Sequence, residues 1–261
     1  VPASAVAISR LQISRLPMEC FTMRNLSSSV VIILVVGMFM PAQADDLDNI
    51  GALDQQQFGA LAEDVNAVIA YRATQPAEPL GMIGFDVSVE ASVIDVENRA
   101  AWSVAANDDV SSVPLARVSV NKGLPLNFDV GAFYATAPGS NISLLGGQLR
   151  YALVEGGVVA PAVGVRAAVT RLQGVDDLDA ETRSLDLSIS KGFGPLTPYV
   201  GYGRVWGDFT PSASTGLSAV DRDENRAFAG LRFSMLVLQV HFEAEQMGDR
   251  TGYSAKFGFG F

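Results

Sequence analysis

His241 is followed by Glu243 and Glu245 in a run of alternating residues. Period-two spacing puts the three on one face of a strand, and an imidazole beside carboxylates is the pairing that general acid–base catalysis uses. It is the sole histidine, so any histidine-dependent reaction rests on it. The plainer reading is an interior histidine that fills space beside its neighbours. One histidine and one cysteine, Cys20, exclude a His/Cys metal site. Asp221-Arg222-Asp223-Glu224-Asn225 has the acidic spacing that opens a calcium loop. Arg226 stands where that loop needs glycine and Arg232 where it needs a bidentate glutamate, so the motif fails. Asp176, Asp177, Asp179 and Glu181 form a second acidic cluster. Both are expected to be solvated loops, with weak divalent-cation binding near lipopolysaccharide as the alternative for the second. Gly201-x-Gly203 and Gly258-x-Gly260 fall inside strand patterns, where glycine makes room for neighbours and carries no nucleotide-binding meaning. No cofactor is implied.

The elements that position these residues follow from composition and period. The chain has 261 residues, 49% hydrophobic and 18% charged, with a formal net charge of −10. An acidic balance argues against a nucleic-acid partner, which needs a basic surface. The mean hydropathy of +0.26 points to a membrane, yet no apolar run reaches the roughly 20 residues of a helical span.

Part of that hydropathy belongs to a leader. Met23-Arg24, a polar stretch, the apolar run 30–40 and Pro41-Ala42-Gln43-Ala44 have the order of a secretory signal peptide over 23–44. Ala42 and Ala44 mark cleavage before Asp45, and 1–22 read as an upstream extension with no part in the native protein. Cys20 precedes the apolar run, so it is no lipoprotein cysteine. Without 1–44 the net charge becomes −12 and no cysteine remains, so no disulfide supports the fold.

Ile50, Leu53, Phe58, Leu61, Val65 and Val68 recur at three- to five-residue steps, behind Asp45, Asp46 and Asp48. They predict an amphipathic helix over 49–72, within a periplasmic helix-and-linker segment 45–80 that Pro76 and Pro79 close. From 81 to 261 the period is two. About ten strands are expected, near 81–96, 114–122, 126–137, 141–154, 158–172, 181–191, 196–209, 225–234, 236–246 and 251–261. Short connections fall on one side, and longer ones (97–113, 173–180, 210–224) on the other. That parity, with an apolar and a polar face on each strand, predicts an all-β fold. It is a transmembrane antiparallel up-and-down β-barrel preceded by the helix, its backbone edges closed against lipid. Phe133, Tyr134, Tyr151, Tyr199, Trp206, Phe209, Tyr253 and Phe261 are expected in interfacial girdles.

The terminal strand, with Tyr253, Phe257, Phe259 and Phe261 on one face, resembles the last strand of Gram-negative outer-membrane proteins. That resemblance implies recognition by the barrel-assembly machinery, although Lys256 stands where the signal carries glycine. Ile189-Ser190-Lys191-Gly192-Phe193 and Leu196-Thr197-Pro198-Tyr199-Val200-Gly201 are similar to an uncharacterised group of proteobacterial outer-membrane barrels, which offers no activity to carry over. The expected location is therefore the outer membrane, among its lipid and lipopolysaccharide.

The alternation assigns Asp86, Glu90, Asp129, Asp186, Glu243 and Glu245 to the lumen, with His241. Against these acids it sets Arg117, Arg150, Arg166, Arg204, Arg232 and Lys256. Mutual pairing that fills the lumen is the physical default, with a narrow polar channel as the alternative. The helix is read as a periplasmic lid or as a plug in the barrel mouth. Long-chain fatty acid transporters also carry an N-terminal segment inside a larger barrel, an analogy only. The function expected is a porin-like or small-solute passage, either open or plugged by its helix, or a structural barrel of the envelope. A membrane-embedded hydrolase is the alternative. Omptin-type proteases and outer-membrane phospholipases set their histidine near the outer rim beside acidic or serine partners, and neither local pattern occurs here.

Overall fold

Ten antiparallel strands form a closed barrel in the computed structural model, which describes residues 46–261. The upstream extension and the leader, with Ala42 and Ala44, lie outside the described residues. The strands are β1 (Phe85–Asp95), β2 (Ser112–Gly123), β3 (Phe128–Thr136), β4 (Ser143–Val154) and β5 (Ala162–Gln173). They continue with β6 (Leu178–Ser190), β7 (Leu196–Pro211), β8 (Val220–Met235), β9 (Leu238–Met247) and β10 (Arg250–Gly260). Each pairs with its sequence neighbours, and β1 closes on β10 through Asp86↔Gly260 to Ile94↔Gly252. No described helix is long and apolar enough to cross a membrane.

The lower mouth carries the β2–β3, β4–β5, β6–β7 and β8–β9 turns, the start of β1 and the end of β10. The upper mouth carries the other connections. Two of its expected loops are shorter than the sequence suggests, because β6 begins at Leu178 and β8 at Val220. Asp179, Glu181 and Asp221–Asn225 are thus strand residues, not loop. The β8 stretch sets charge against charge and the β6 stretch sets charge against small residues, so hydropathy marks neither, but β7 pairs with both through Asp179↔Thr210 and Asp221↔Asp208.

Apolar side chains cover the middle of the outer wall. On β6, Leu185, Leu187 and Ile189 are exposed, with outward Arg183 above and Lys191 below. Eight residues at about 3.3 Å, tilted by about 40°, give an apolar band on the order of 20 Å tall. Val87, Val118, Val130, Leu149, Val200, Leu231 and Phe242 continue it around the barrel. Interior and exterior are therefore inverted relative to a soluble protein through this zone.

In the upper half the interior becomes apolar too, and there it receives the N-terminal helix. Helix α1 (Gln55–Ile69) starts at Asp54, whose side chain accepts the Gln57 N–H while Gln57 reaches back to the Asp54 N–H, a capping box. It is shorter than the expected 49–72; Ile50–Ala52 form a separate 3-10 turn. Arg72 ends it by curling back onto the carbonyls of Ala67, Val68 and Ala70, which would otherwise lack partners. Phe58, Leu61, Val65 and Val68 pack with Ile94, Val113, Leu144, Val205 and Phe209 of the wall. A second helix that the sequence reading lacks, α2 (Arg99–Ala105), lies in the β1–β2 loop and contributes Trp102 to the same core.

Candidate functional site

From Ala70 the chain runs without helix or strand down through the lumen to the lower mouth, with Thr74 in the left-handed region (φ 47°), and turns at 81–84 into β1. Its contacts trace the path. Asp46 and Asp48 bond Asn141 in the upper β3–β4 connection, at 2.6 and 2.9 Å. Leu80 N–H donates to Asp129 at 3.1 Å, near the start of β3. The helix therefore sits in the upper mouth, opposite the short turns, and the expected helix-and-linker segment runs from one mouth to the other. The apolar pocket able to bury Phe58 and Leu61 is at the helix end, and Asp64 anchors the helix there. Asp64 is fully buried and accepts from the Asn98 N–H (2.8 Å), Asn98 Nδ2 (3.1 Å), Trp102 Nε1 (3.0 Å) and Arg250 Nε (2.6 Å).

Below the helix the lumen is a lattice of paired charges set by strand register. Arg150 faces Asp129 across β3–β4 and pairs at 2.6 Å. Arg166 faces Asp186 across β5–β6 and pairs at 3.0 Å. Arg117 faces Glu90 across β1–β2 at 3.5 Å. Lys256, opposite Glu90, reaches diagonally to Asp86 at 2.9 Å. Asp86, Glu90, Arg117, Asp129, Arg150, Arg166, Asp186, His241, Glu243, Glu245 and Lys256 are all buried in the interior. Arg232 is half-buried near the lower mouth.

Two assignments differ from the sequence reading. Arg204 is exposed on the outer wall, where it pairs with Asp223 of β8. It stands between outward Tyr202 and Trp206, and its charge is met by Asp223 on the same outer face rather than by the lumen. The inward cation of this region is Arg226, which the sequence reading treats only as a failed calcium-loop position. Arg226 bonds Asp186 at 2.6 Å and Glu245 at 3.3 Å. It reaches Asp186 two strands away because Gly203, between them, has no side chain. The glycines at 201, 203 and 207 on the inward face of β7 were the available signal.

The same device turns two expected girdle aromatics, Phe133 and Tyr199, inward, and Phe228 with them. Phe133 lies over Gly146, Phe228 over Gly201 and Tyr199 over Gly230, each directly opposite its glycine. Tyr199 crosses Gly230 to donate its hydroxyl to Glu243 at 2.9 Å. Phe209 is also buried, in the helix pocket. Tyr134, Tyr151, Trp206, Tyr253 and Phe261 face outward.

The wall holds the threaded segment at every level. Arg226 donates to the Tyr71 carbonyl (2.5 Å), Arg117 to that of Arg72 and Arg150 to that of Pro76 (2.6 Å). Ser190 Oγ accepts the Ala77 N–H at 3.1 Å. Arg72 pairs with Glu245 at 2.9 Å, Gln75 bonds Asp86 at 3.2 Å and Glu78 pairs with Arg232 at 2.5 Å. The Tyr71 ring packs on Phe133 at 5.1 Å between centroids.

His241 stands opposite Arg232 on one side and Lys256 on the other, and neither ring nitrogen has a hydrogen-bond partner in the protein. A general base needs such a partner to orient it, and the described residues give His241 none. Among the described residues no group of three or more His, Cys, Asp or Glu side chains is placed to hold a metal ion.

No family model and no curated protein matches the chain. Several solved structures are similar at low identity. One is a loop-deletion mutant of OmpT, an outer membrane protein of Vibrio cholerae (10% identity, TM-score 0.33, covering 57% of this chain and 54% of that one). Another is the translocator domain of autotransporter NalP from Neisseria meningitidis (9%, TM-score 0.35, 79% and 95%). A third is the outer membrane protein OprG from Pseudomonas aeruginosa (11%, TM-score 0.33, 72% and 99%). The chain spans about half the length of the first.

Proposed function

We propose that this chain is an outer-membrane β-barrel whose passage is held shut by its own N-terminal segment. The outward apolar band supports a lipid setting, since exposed apolar surface on this scale is rare on soluble monomers. Closure of every backbone edge suits the same setting. In this reading the short turns face the periplasm, α1 fills the cell-surface mouth, and lipopolysaccharide surrounds the charged upper strands. The outward aromatic face of β10, with Tyr253, Phe257, Phe259 and Phe261, is the segment offered to the assembly machinery.

The observation that carries the closed-passage reading is the stretch 70–80, bonded by wall side chains along the lumen. A polar wall that grips a polar strap through many separate bonds is a passage that opens only when the strap moves. Planar-bilayer recordings test this. The intact chain is expected to show no steady current, and an Arg72→Ala/Glu78→Ala double variant to show intermittent openings. Steady current from the intact chain defeats the plug. Silence from every loosened variant leaves a structural barrel of the envelope instead.

A further inference from the structure

Much of the grip on the threaded segment is indifferent to its sequence. Five wall groups take main-chain atoms: Arg226, Arg117 and Arg150 donate to the carbonyls of Tyr71, Arg72 and Pro76, while Ser190 and Asp129 accept the N–H groups of Ala77 and Leu80. A chain withdrawn from water needs such partners, because each unpaired backbone group is costly. Sequence enters through a few side chains, chiefly the ion pairs Arg72–Glu245 and Glu78–Arg232. Glu78 follows Arg72 by six positions, across a left-handed Thr74.

We propose that the lumen is a binding site for a peptide with neither helix nor strand pairing of its own, which the N-terminal segment fills in cis. In trans it takes a peptide bearing a cation and, six residues toward the C-terminus, a carboxylate. This rests on the closed-barrel reading above and names the class of ligand that such a passage handles. Peptide direction is set as well, since the donors near Tyr71 and Arg72 and the acceptors near Ala77 and Leu80 do not interchange.

Met82 and Ile83 are exposed at the lower mouth, so a protease recognition sequence inserted between them allows the strap to be cut in the folded protein. Retention of heat-modifiable gel mobility after cutting confirms an intact barrel. The probe is a fluorescent synthetic peptide of sequence 69–82, read by anisotropy, with release of the resident fragment followed by size exclusion. The cut is made in the native background and with Asp64→Asn, which loosens the helix anchor so that the fragment can leave. Uncut protein is expected to bind no probe, and cut Asp64→Asn protein to release its fragment and bind the probe saturably. A probe with Arg72→Glu and Glu78→Arg is expected to bind about a hundredfold more weakly, because it buries charge against like charge. Three results overturn the proposal: a fragment retained in both backgrounds, an emptied barrel that binds no probe, or equal binding of both probes. Steady current from uncut protein would instead defeat the closed-lumen reading, which separates the two failures.

Discussion

Replacing Asp64 by alanine is expected to undock α1 while leaving the barrel folded. The carboxylate accepts four hydrogen bonds, from the Asn98 N–H and Nδ2, Trp102 Nε1 and Arg250 Nε. Its loss strands the Trp102 and Asn98 donors in a buried site and removes one of three carboxylates around Arg250, which keeps Glu63 and Glu224. Breaking a buried, hydrogen-bonded charge pair by removing one partner costs about 3–5 kcal/mol. At 1.4 kcal/mol per decade that is roughly two to three and a half orders of magnitude in the helix-opening equilibrium. The cost falls on the helix and its loop rather than on strand pairing, because Asp64 touches the barrel wall only through Arg250. Protein starting at Asp45 has no cysteine, so Val68→Cys, buried in the helix pocket, is a unique reporter. Its maleimide labelling follows local opening and should accelerate by that factor in the Asp64→Ala background. Ser188→Cys, buried in the wall, should not change. An unchanged rate at Val68, or an equal rise at both positions, refutes the hub.

Other expectations separate inside from outside. Arg226→Met should destabilise the barrel by about 3–5 kcal/mol, by leaving Asp186 and Glu245 short of a cation, whereas Arg204→Ala on the outer wall should change stability by under about 1 kcal/mol; denaturant titration of both in micelles checks the order. Leu187→Arg, in mid-band, should cost about 2–4 kcal/mol in a bilayer and far less in a charged rim position such as Thr210→Arg, compared by folding into liposomes. Gly201→Ala places a methyl 2.1 Å from the Phe228 ring and should cost about 1–3 kcal/mol by overpacking; a neutral outcome in the same titration would show that the ring does not sit there.

Strand number and parity were legible because lipid imposes them: where the outer face must be apolar and the lumen polar, hydropathy has a clean period of two. Legibility failed wherever that constraint lapses. Above the band both faces of β8 are charged, so Asp221–Asn225 looked like loop and Arg226 went unassigned. At Arg204 the outward face carries an ion pair with Asp223 among apolar neighbours, so polarity alone does not point inward. Phe133, Tyr199 and Phe209 turn inward because a glycine opposite, or the helix pocket, gives them room, which is a two-strand property that one strand's pattern lacks. The helix was readable from its spacing, but not its mouth. That depends on Asp64 meeting Trp102 and Arg250, residues 38 and 186 positions away.

The division of labour between wall and strap decides what an open lumen would be like. Arg150–Asp129, Arg166–Asp186, Arg117–Glu90 and Lys256–Asp86 are formed entirely within the wall, and Arg226 keeps Asp186 without the strap. Withdrawing 70–80 strips carbonyls from Arg117, Arg150 and Arg226 but leaves each with a carboxylate. The paired lattice therefore persists when the strap leaves, and water can replace the lost main-chain partners. Glu245 and Arg232 are the groups that lose an ionic partner from the strap, at separate levels of the lumen. Glu245 still keeps Arg226, whereas Arg232 is left with no carboxylate among the described residues and Glu243 is held only by the Tyr199 hydroxyl. An opened passage of the proposed kind should thus present a nearly neutral, hydrogen-bonding wall in which Arg232 and Glu243, rather than the net charge of −10, bias the ions it admits.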